Sequence, residues 1–189
     1  MRGYFGIGLE RISKQYNVGN IFRTANAFGA SFVFTISASY NREIGKGSDT
    51  SDALGQIPFY DFPALEDVIL PKYTKVVGVE IDDNAIDLPS FHHPANAVYI
   101  FGPEKGDLSK PAKQKCDFLV KIPSKFCLNV GIAGVIVMYD RLISRTRFPN
   151  RPLKPGGPET ELIVKSNKTI ITSKKTMNDF LAKPPEIQI

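Results

Sequence analysis

Few residues in this chain could carry nucleophilic or metal chemistry. Of its two cysteines, Cys116 and Cys127, the second stands at the front of a long apolar run, "KFCLNVGIAG". Its thiol could be a nucleophile, half of a metal site, or simply a small group where the chain turns into a buried helix. The only histidines, His92 and His93, are adjacent and followed by Pro94. Neighbours in an extended chain point to opposite sides, so the pair chelates poorly, and a solvated loop is the expectation. Cys127 could be activated only by that pair or by a helix N-terminus. The cysteines form neither a disulfide framework nor a zinc spacing. The "GIG" at Gly6–Gly8 has Arg11 where a dinucleotide fingerprint needs its third glycine, and no P-loop or Gly-x-Ser-x-Gly elbow occurs.

Three other segments combine polar groups with tight turns. In "NVGNIFRTANAFGA" (17–30), Asn17 and Arg23 accompany an apolar helical spacing of Val18, Ile21, Phe22, Ala25 and Phe28. Asn17 is the expected N-cap and Gly29 the expected stop. Arg23 is oddly placed, between Phe22 and Ala25. In "VYIFGPEKGDLS" (98–109) a strand ends in a glycine-bracketed acidic loop, as ligand loops at strand C-termini do. In "VKIPSKFCLNVGIAG" (120–134) a strand and a proline-stiffened loop lead into a small-residue helix entry.

The elements that must position these residues follow from pattern. Strands are expected at "GYFGIGLERI", "SFVFTIS", "IPFYDF", "TKVVGVEI", "NAVYIFG" and "CDFLVKIP", and helices at 17–28, at "PALEDVIL" with proline in its first turn, and over 128–144. The last is apolar nearly all round, which predicts burial on most sides. The polar stretch "NREIGKGSDTSDALG" has room for one helical turn. Alternating strands and helices make an α/β protein with a mostly parallel sheet and helices on both faces.

With 189 residues, 42% apolar and 23% charged, the chain has the composition of one ordinary globular domain. No run approaches the roughly 18 apolar residues of a membrane span, and the N-terminus makes a poor signal peptide, so a cytoplasmic, reduced protein is expected. Charge is uneven: residues 1–140 carry a net of −1 and residues 141–189 a net of +6. A near-neutral body (1–147) with a basic, Pro/Gly-rich C-terminal extension (148–189) suggests a polyanionic partner, or a solvated end.

In this order and within this α/β pattern, the three segments resemble the signature motifs of the SPOUT superfamily. The nearest branch is the SpoU/TrmH type of S-adenosylmethionine-dependent RNA 2′-O-ribose methyltransferases. The resemblance runs from about Gly6 to Leu142. It implies a C-terminal trefoil knot whose loops, after "IFG" and around "IPSKF", hold the cofactor bent. It also implies a homodimer through the 128–143 helix. Carried over residue by residue, it makes Arg23 the catalytic arginine, Asn17 its motif partner, Glu104 the motif-two acid and Asn129 the motif-three asparagine. Cofactor contacts would come from around Val79, Gly102, Ile122, Cys127 and Leu128. Cys127 departs from the family's usual serine.

The implied reaction is methyl transfer from S-adenosylmethionine to a ribose 2′-OH of structured RNA, transfer RNA ahead of ribosomal RNA, with no metal and no covalent intermediate. A guanidinium stays charged, so Arg23 would stabilise the developing 2′-oxyanion and grip the adjacent phosphate. Two other classes stay open: a non-catalytic RNA-binding protein on a SPOUT scaffold, and a cysteine-dependent enzyme using Cys127.

Overall fold

The computed structural model describes residues 3–39, 53–149, 155 and 157. The compact unit Met1–Arg147 carries every described element. Most of the C-terminal extension and all of residues 40–52 lie outside the described residues, while the end of the polar stretch forms the expected single helical turn.

Seven strands form one sheet: β1 (Phe5–Glu10), β2 (Phe32–Ile36), β3 (Phe59–Phe62), β4 (Lys75–Val79), β5 (Ile86–Asp87), β6 (Ala97–Phe101) and β7 (Phe118–Lys121). Their order is β3-β2-β1-β6-β4-β7-β5, and every described pairing is parallel. A parallel sheet needs cover on both faces, and the buried runs "FGIGLE" and "AVYIF" supply the matching sequences. Along β6 the alternation divides the core. Ala97, Tyr99 and Phe101 join the cluster that contains Val18, Phe22, Val137 and Met138, while Val98 and Ile100 join Leu65, Leu108 and Ala112 on the other face.

The helices are α1 (Gln15–Ala27), the single turn α2 (Ala53–Gln56), α3 (Lys110–Lys115) and α4 (Val130–Arg145). Helix α1 ends as expected, at Gly29 with φ +74°, a left-handed conformation that glycine adopts without a Cβ penalty. Its start differs from expectation. The N-cap position is Lys14, whose side chain makes no cap bond, and Asn17 lies inside the first turn, buried. "PALEDVIL" also differs: it makes only a three-residue 3-10 turn, Leu65–Asp67, after which Val68 and Leu70 still pack against the core, and a run this short cannot repay the cost of nucleating a helix.

The "GIG" of β1 has a packing cause. A Cβ on Gly6 would sit 2.4 Å from the Phe32 ring, and one on Gly8 2.5 Å from the Phe34 ring. Both rings lie across β1 where side chains would otherwise stand. Glycine is required by neighbouring aromatics, not by a phosphate.

Helix α4 is not buried on most sides. Val130, Gly134, Val137, Met138 and Arg141 face the core, but Ile132 (54% exposed), Val135, Tyr139 (49%) and Ile143 form a solvent-facing stripe at helical spacing. Close approach to α1 explains Gly134, where a Cβ would meet Ile21 Cδ1 at 2.3 Å.

Candidate active site

The C-terminal ends of β4, β6 and β7 and the start of α4 enclose a cavity of about 700 Å³, including its open mouth. All five residues expected at the cofactor, Val79, Gly102, Ile122, Cys127 and Leu128, line it, together with Glu80, Phe101, Asp107 and Val130. Strand ends of a parallel sheet are where ligands of α/β proteins bind. At Gly102 a Cβ would come within 3.0 Å of the Leu108 backbone nitrogen, so the loop after β6 folds back on itself only because a side chain is missing. Gly106, at φ +90°, completes the turn.

Three carboxylates hold that loop. Glu10, buried at the end of β1, accepts from Ser109 N at 2.8 Å and Ser109 Oγ at 2.5 Å. Glu80, just past β4, accepts from Leu108 N at 2.6 Å. Glu104, on the loop itself, reaches the other way. It accepts from Ser13 N (3.1 Å), Ser13 Oγ (3.0 Å), Lys14 N (2.8 Å) and Asn17 Nδ2 (3.0 Å). Partial burial pushes the Glu104 carboxyl up, but bonds from Asn17, Ser13 and Lys14 outweigh it and hold it below its ordinary value. Glu104 thus caps α1 from outside, which is why Lys14 needs no capping side chain and Asn17 is released from that duty.

Asn17 uses both ends of its amide. Its Oδ1 accepts from Asn129 Nδ2 at 3.0 Å, while Asn129 Oδ1 caps α4 by accepting from Gly131 N (2.9 Å) and Ile132 N (3.4 Å). Glu104, Asn17 and Asn129 therefore form one hydrogen-bonded chain joining the three sequence motifs at the edge of the cavity. Arg23, the fourth expected catalytic residue, stands exposed on α1 about 9 Å of helix rise beyond Asn17. It does not line the cavity.

Cys127 is an exposed free thiol on the cavity wall. His92 is exposed, but the expected solvated histidine loop is corrected at His93, which is fully buried. Its Nδ1 lies 2.6 Å from the Tyr99 hydroxyl and its Nε2 2.9 Å from Asp140. Both nitrogens are taken, so His93 is no base for Cys127. The donors fix the tautomer. Arg141 can only donate, and its Nη1 bonds Tyr99 Oη at 3.1 Å. The Tyr99 proton then goes to His93 Nδ1, and Nε2–H donates to Asp140. No signal in "FHHPANAVYIF" distinguished this core histidine from a surface one. Cys116 is also structural, its thiol donating to Ala112 O at 3.1 Å and pushed by burial up to about 11. Among the described residues no group of three His, Cys, Asp or Glu could hold a metal ion.

The sequence-based reading missed helix α3, capped by Ser109 Oγ, and the carboxylates Glu10 and Glu80. Single acidic residues ending apolar strands carry no spacing signal.

Comparison with known proteins bears on the family and the fold. The model of the SpoU rRNA methylase family matches residues 4–139. A tRNA/rRNA methyltransferase of uncharacterised function from Archaeoglobus fulgidus is 30% identical over 155 residues, 77% of this chain and 66% of that protein. A putative TrmH family tRNA/rRNA methyltransferase of Staphylococcus haemolyticus is 28% identical, over 70% of this chain and 55% of that protein. The chain thus spans about half to two thirds of these relatives' length. Among solved structures, the SpoU methyltransferase AviRb from Streptomyces viridochromogenes in complex with AdoMet superposes with a TM-score of 0.66 at 22% identity, over 74% of this chain and 57% of that one. A structure concerning 2-OH methylation of C/U34 on tRNA superposes with a TM-score of 0.64 at 17% identity, over 75% of this chain and 91% of that one. A match over residues 4–139, on the fold and motifs described, makes this chain a member of the SpoU methylase family.

Proposed function

We propose that the protein methylates a ribose 2′-OH of structured RNA, transfer RNA ahead of ribosomal RNA, from S-adenosylmethionine bound in the cavity at the ends of β4, β6 and β7. The observation that carries this reading is the Glu104–Asn17–Asn129 chain, which locks the three motif segments together beside a cavity lined by all five expected cofactor residues. The cavity fits the cofactor. Val79, Ile122, Leu128 and Val130 offer apolar walls, and Glu80 and Asp107 supply polar groups among them. When bound there, S-adenosylmethionine supplies an electrophilic sulfonium methyl.

What remains for the protein is positioning and electrostatics. Glu104, Asn17 and Asn129 act as positioning residues, because their polar atoms are committed to one another and to the ends of α1 and α4. Arg23, exposed toward solvent, is the cation for the 2′-oxyanion and the neighbouring phosphate. The fold neighbour concerned with 2-OH methylation on tRNA supports the ribose and tRNA assignments. The basic extension 148–189 would add phosphate contacts.

The same reading includes a trefoil knot, a homodimer and a cytoplasmic location. Strand β7 enters the sheet between β4 and β5, so the chain after β6 must pass the connection joining those two strands, which supports the knot. The stripe Ile132, Val135, Tyr139 and Ile143 on α4 supports a dimer through that helix. The deciding experiment incubates the protein with methyl-labelled S-adenosylmethionine and deproteinised total RNA, then maps the label. Label on a ribose 2′-oxygen is expected. Label on a base, or on protein alone, would overturn the assignment.

A further inference from the structure

Phe126 is 75% exposed, yet its loop is pinned. Ser124 Oγ donates to the Phe126 carbonyl at 2.9 Å, and Ser124 N donates to Ile122 O at 2.8 Å. Ser124, two positions before Phe126, and Cys127, directly after it, line the cavity. A large apolar ring is therefore held in water at the mouth of the site by a loop with internal bonds.

Three lysines belong to the segments that meet beside this cavity. Lys125 adjoins Phe126, Lys105 lies between Glu104 and the cavity-lining Gly106, and Lys14 donates its backbone N–H to Glu104. All three side chains are exposed, and none pairs with a carboxylate among the described residues. The cations set this patch apart from the stripe on α4, whose stretch from Val130 to Tyr139 has no charged residue. An exposed aromatic ring on a segment next to exposed lysines suits a single-stranded nucleotide: the ring stacks the base and the cations take the phosphates on either side. A base inside a duplex has both faces covered and cannot use such a ring.

We propose that Phe126 is the stacking platform for the base of the methyl-accepting nucleotide, with Lys14, Lys105 and Lys125 holding its flanking phosphates. The acceptor is then an unpaired nucleotide, or one swung out of its helix. The inference rests on the RNA-methylation reading above and adds the state of the substrate to it.

The sequence contains no tryptophan, so Phe126→Trp introduces a single fluorescent reporter at the platform. In the 189-residue chain, titration with deproteinised total RNA should quench its emission, and raising the salt should restore it. Phe126→Ala should raise the KM for that RNA about 10-fold, the equivalent of one lost stacking contact, while kcat and S-adenosylmethionine affinity hold. Phe126→Trp and Phe126→Tyr should restore the KM, whereas Phe126→Leu should not. An unchanged KM for Phe126→Ala, or tryptophan emission indifferent to saturating RNA, overturns the proposal. So does loss of a dimer in Phe126→Ala by light scattering, which would assign the ring to a protein contact. Wild-type protein that binds the cofactor but labels no RNA defeats the methylation reading itself. Quenching by RNA in that case would still support the platform, and its absence would overturn it.

Discussion

Asn17 Oδ1 accepts a hydrogen bond from Asn129 Nδ2 at 3.0 Å, joining two residues 112 positions apart in sequence. The bond ties the first turn of α1 to the cap of α4, and Asn17 Nδ2 extends it to Glu104. Asn17 is buried, so neither end of its amide can turn to water. Asn17→Ala should leave the Asn129 donor unpaired and remove one of the donors to Glu104, costing about 1–3 kcal/mol in urea denaturation. S-adenosylmethionine affinity should fall with it, because the cavity lies between the tied segments. A variant with wild-type stability and affinity would show the chain of bonds to be incidental.

Glu104 gives a pH signature. Its folded-state carboxyl lies below its ordinary value of 4.5. The unfolded chain therefore takes up the proton first, and the carboxylate's contribution to stability is complete above that value. On acidification it is lost progressively as pH falls from about 4.5 through the lower folded value. Glu104→Gln should flatten that part of the curve of unfolding free energy against pH. An unchanged acid slope would mean that the bonds from Ser13, Lys14 and Asn17 do not favour the charged form.

His93 titrates in a different window. Burial pushes its imidazole below the ordinary 6.5, against the opposing pull of Asp140. A base with a depressed folded value is fully neutral, and its hydrogen-bond chain intact, above 6.5. Stability is then lost as pH falls from there toward the folded value. Nitrogen NMR of the native protein at neutral pH should report a neutral ring protonated on Nε2. His93→Ala should cost about 2–4 kcal/mol, since it strands both the Tyr99 hydroxyl and the Asp140 carboxylate. A ring protonated on Nδ1 would contradict the direction of the bonds from Arg141 to Asp140.

The outward stripe of α4 bears on assembly. Ile132→Asp and Tyr139→Asp each place a charge on that face without touching Val137 or Met138 in the core. Light scattering should show a monomer with a preserved far-ultraviolet circular dichroism spectrum. A dimer surviving both changes would put the contact elsewhere.

Sequence periodicity made the strands legible because each buried run in a parallel sheet is apolar on both faces, as "AVYIF" illustrates. The cavity residues Gly102 and Leu128 were legible through motif order alone, since the fold delivers all three motif loops to one end of the sheet. Asn17 was misplaced as a cap because the group that caps α1, Glu104, comes from a loop 90 residues away, beyond any local pattern. For the same reason His93 looked like a surface residue: its partners Tyr99 and Asp140 are brought to it by packing. Helix α4 shows the converse error. Composition records how apolar a helix is, and cannot say which of its faces another surface covers.

Cys127 offers the sharpest test of mechanism. Its thiol lines the cavity and is exposed and free, and His93, with both ring nitrogens bonded to Tyr99 and Asp140, is not available to it as a base. If the thiol only fills a turn before the α4 cap, Cys127→Ser should keep kcat within a few-fold of wild type, since the hydroxyl is close enough in size to take its place in the turn. N-ethylmaleimide should still inactivate wild type, because the adduct projects into the cavity, and saturating S-adenosylmethionine should protect against it. Both results together locate the cysteine beside the cofactor without giving it chemistry. A Cys127→Ser variant that binds cofactor normally yet turns over a thousand-fold more slowly would reverse the conclusion. The sulfur itself would then be reacting, as it would in a thiol nucleophile.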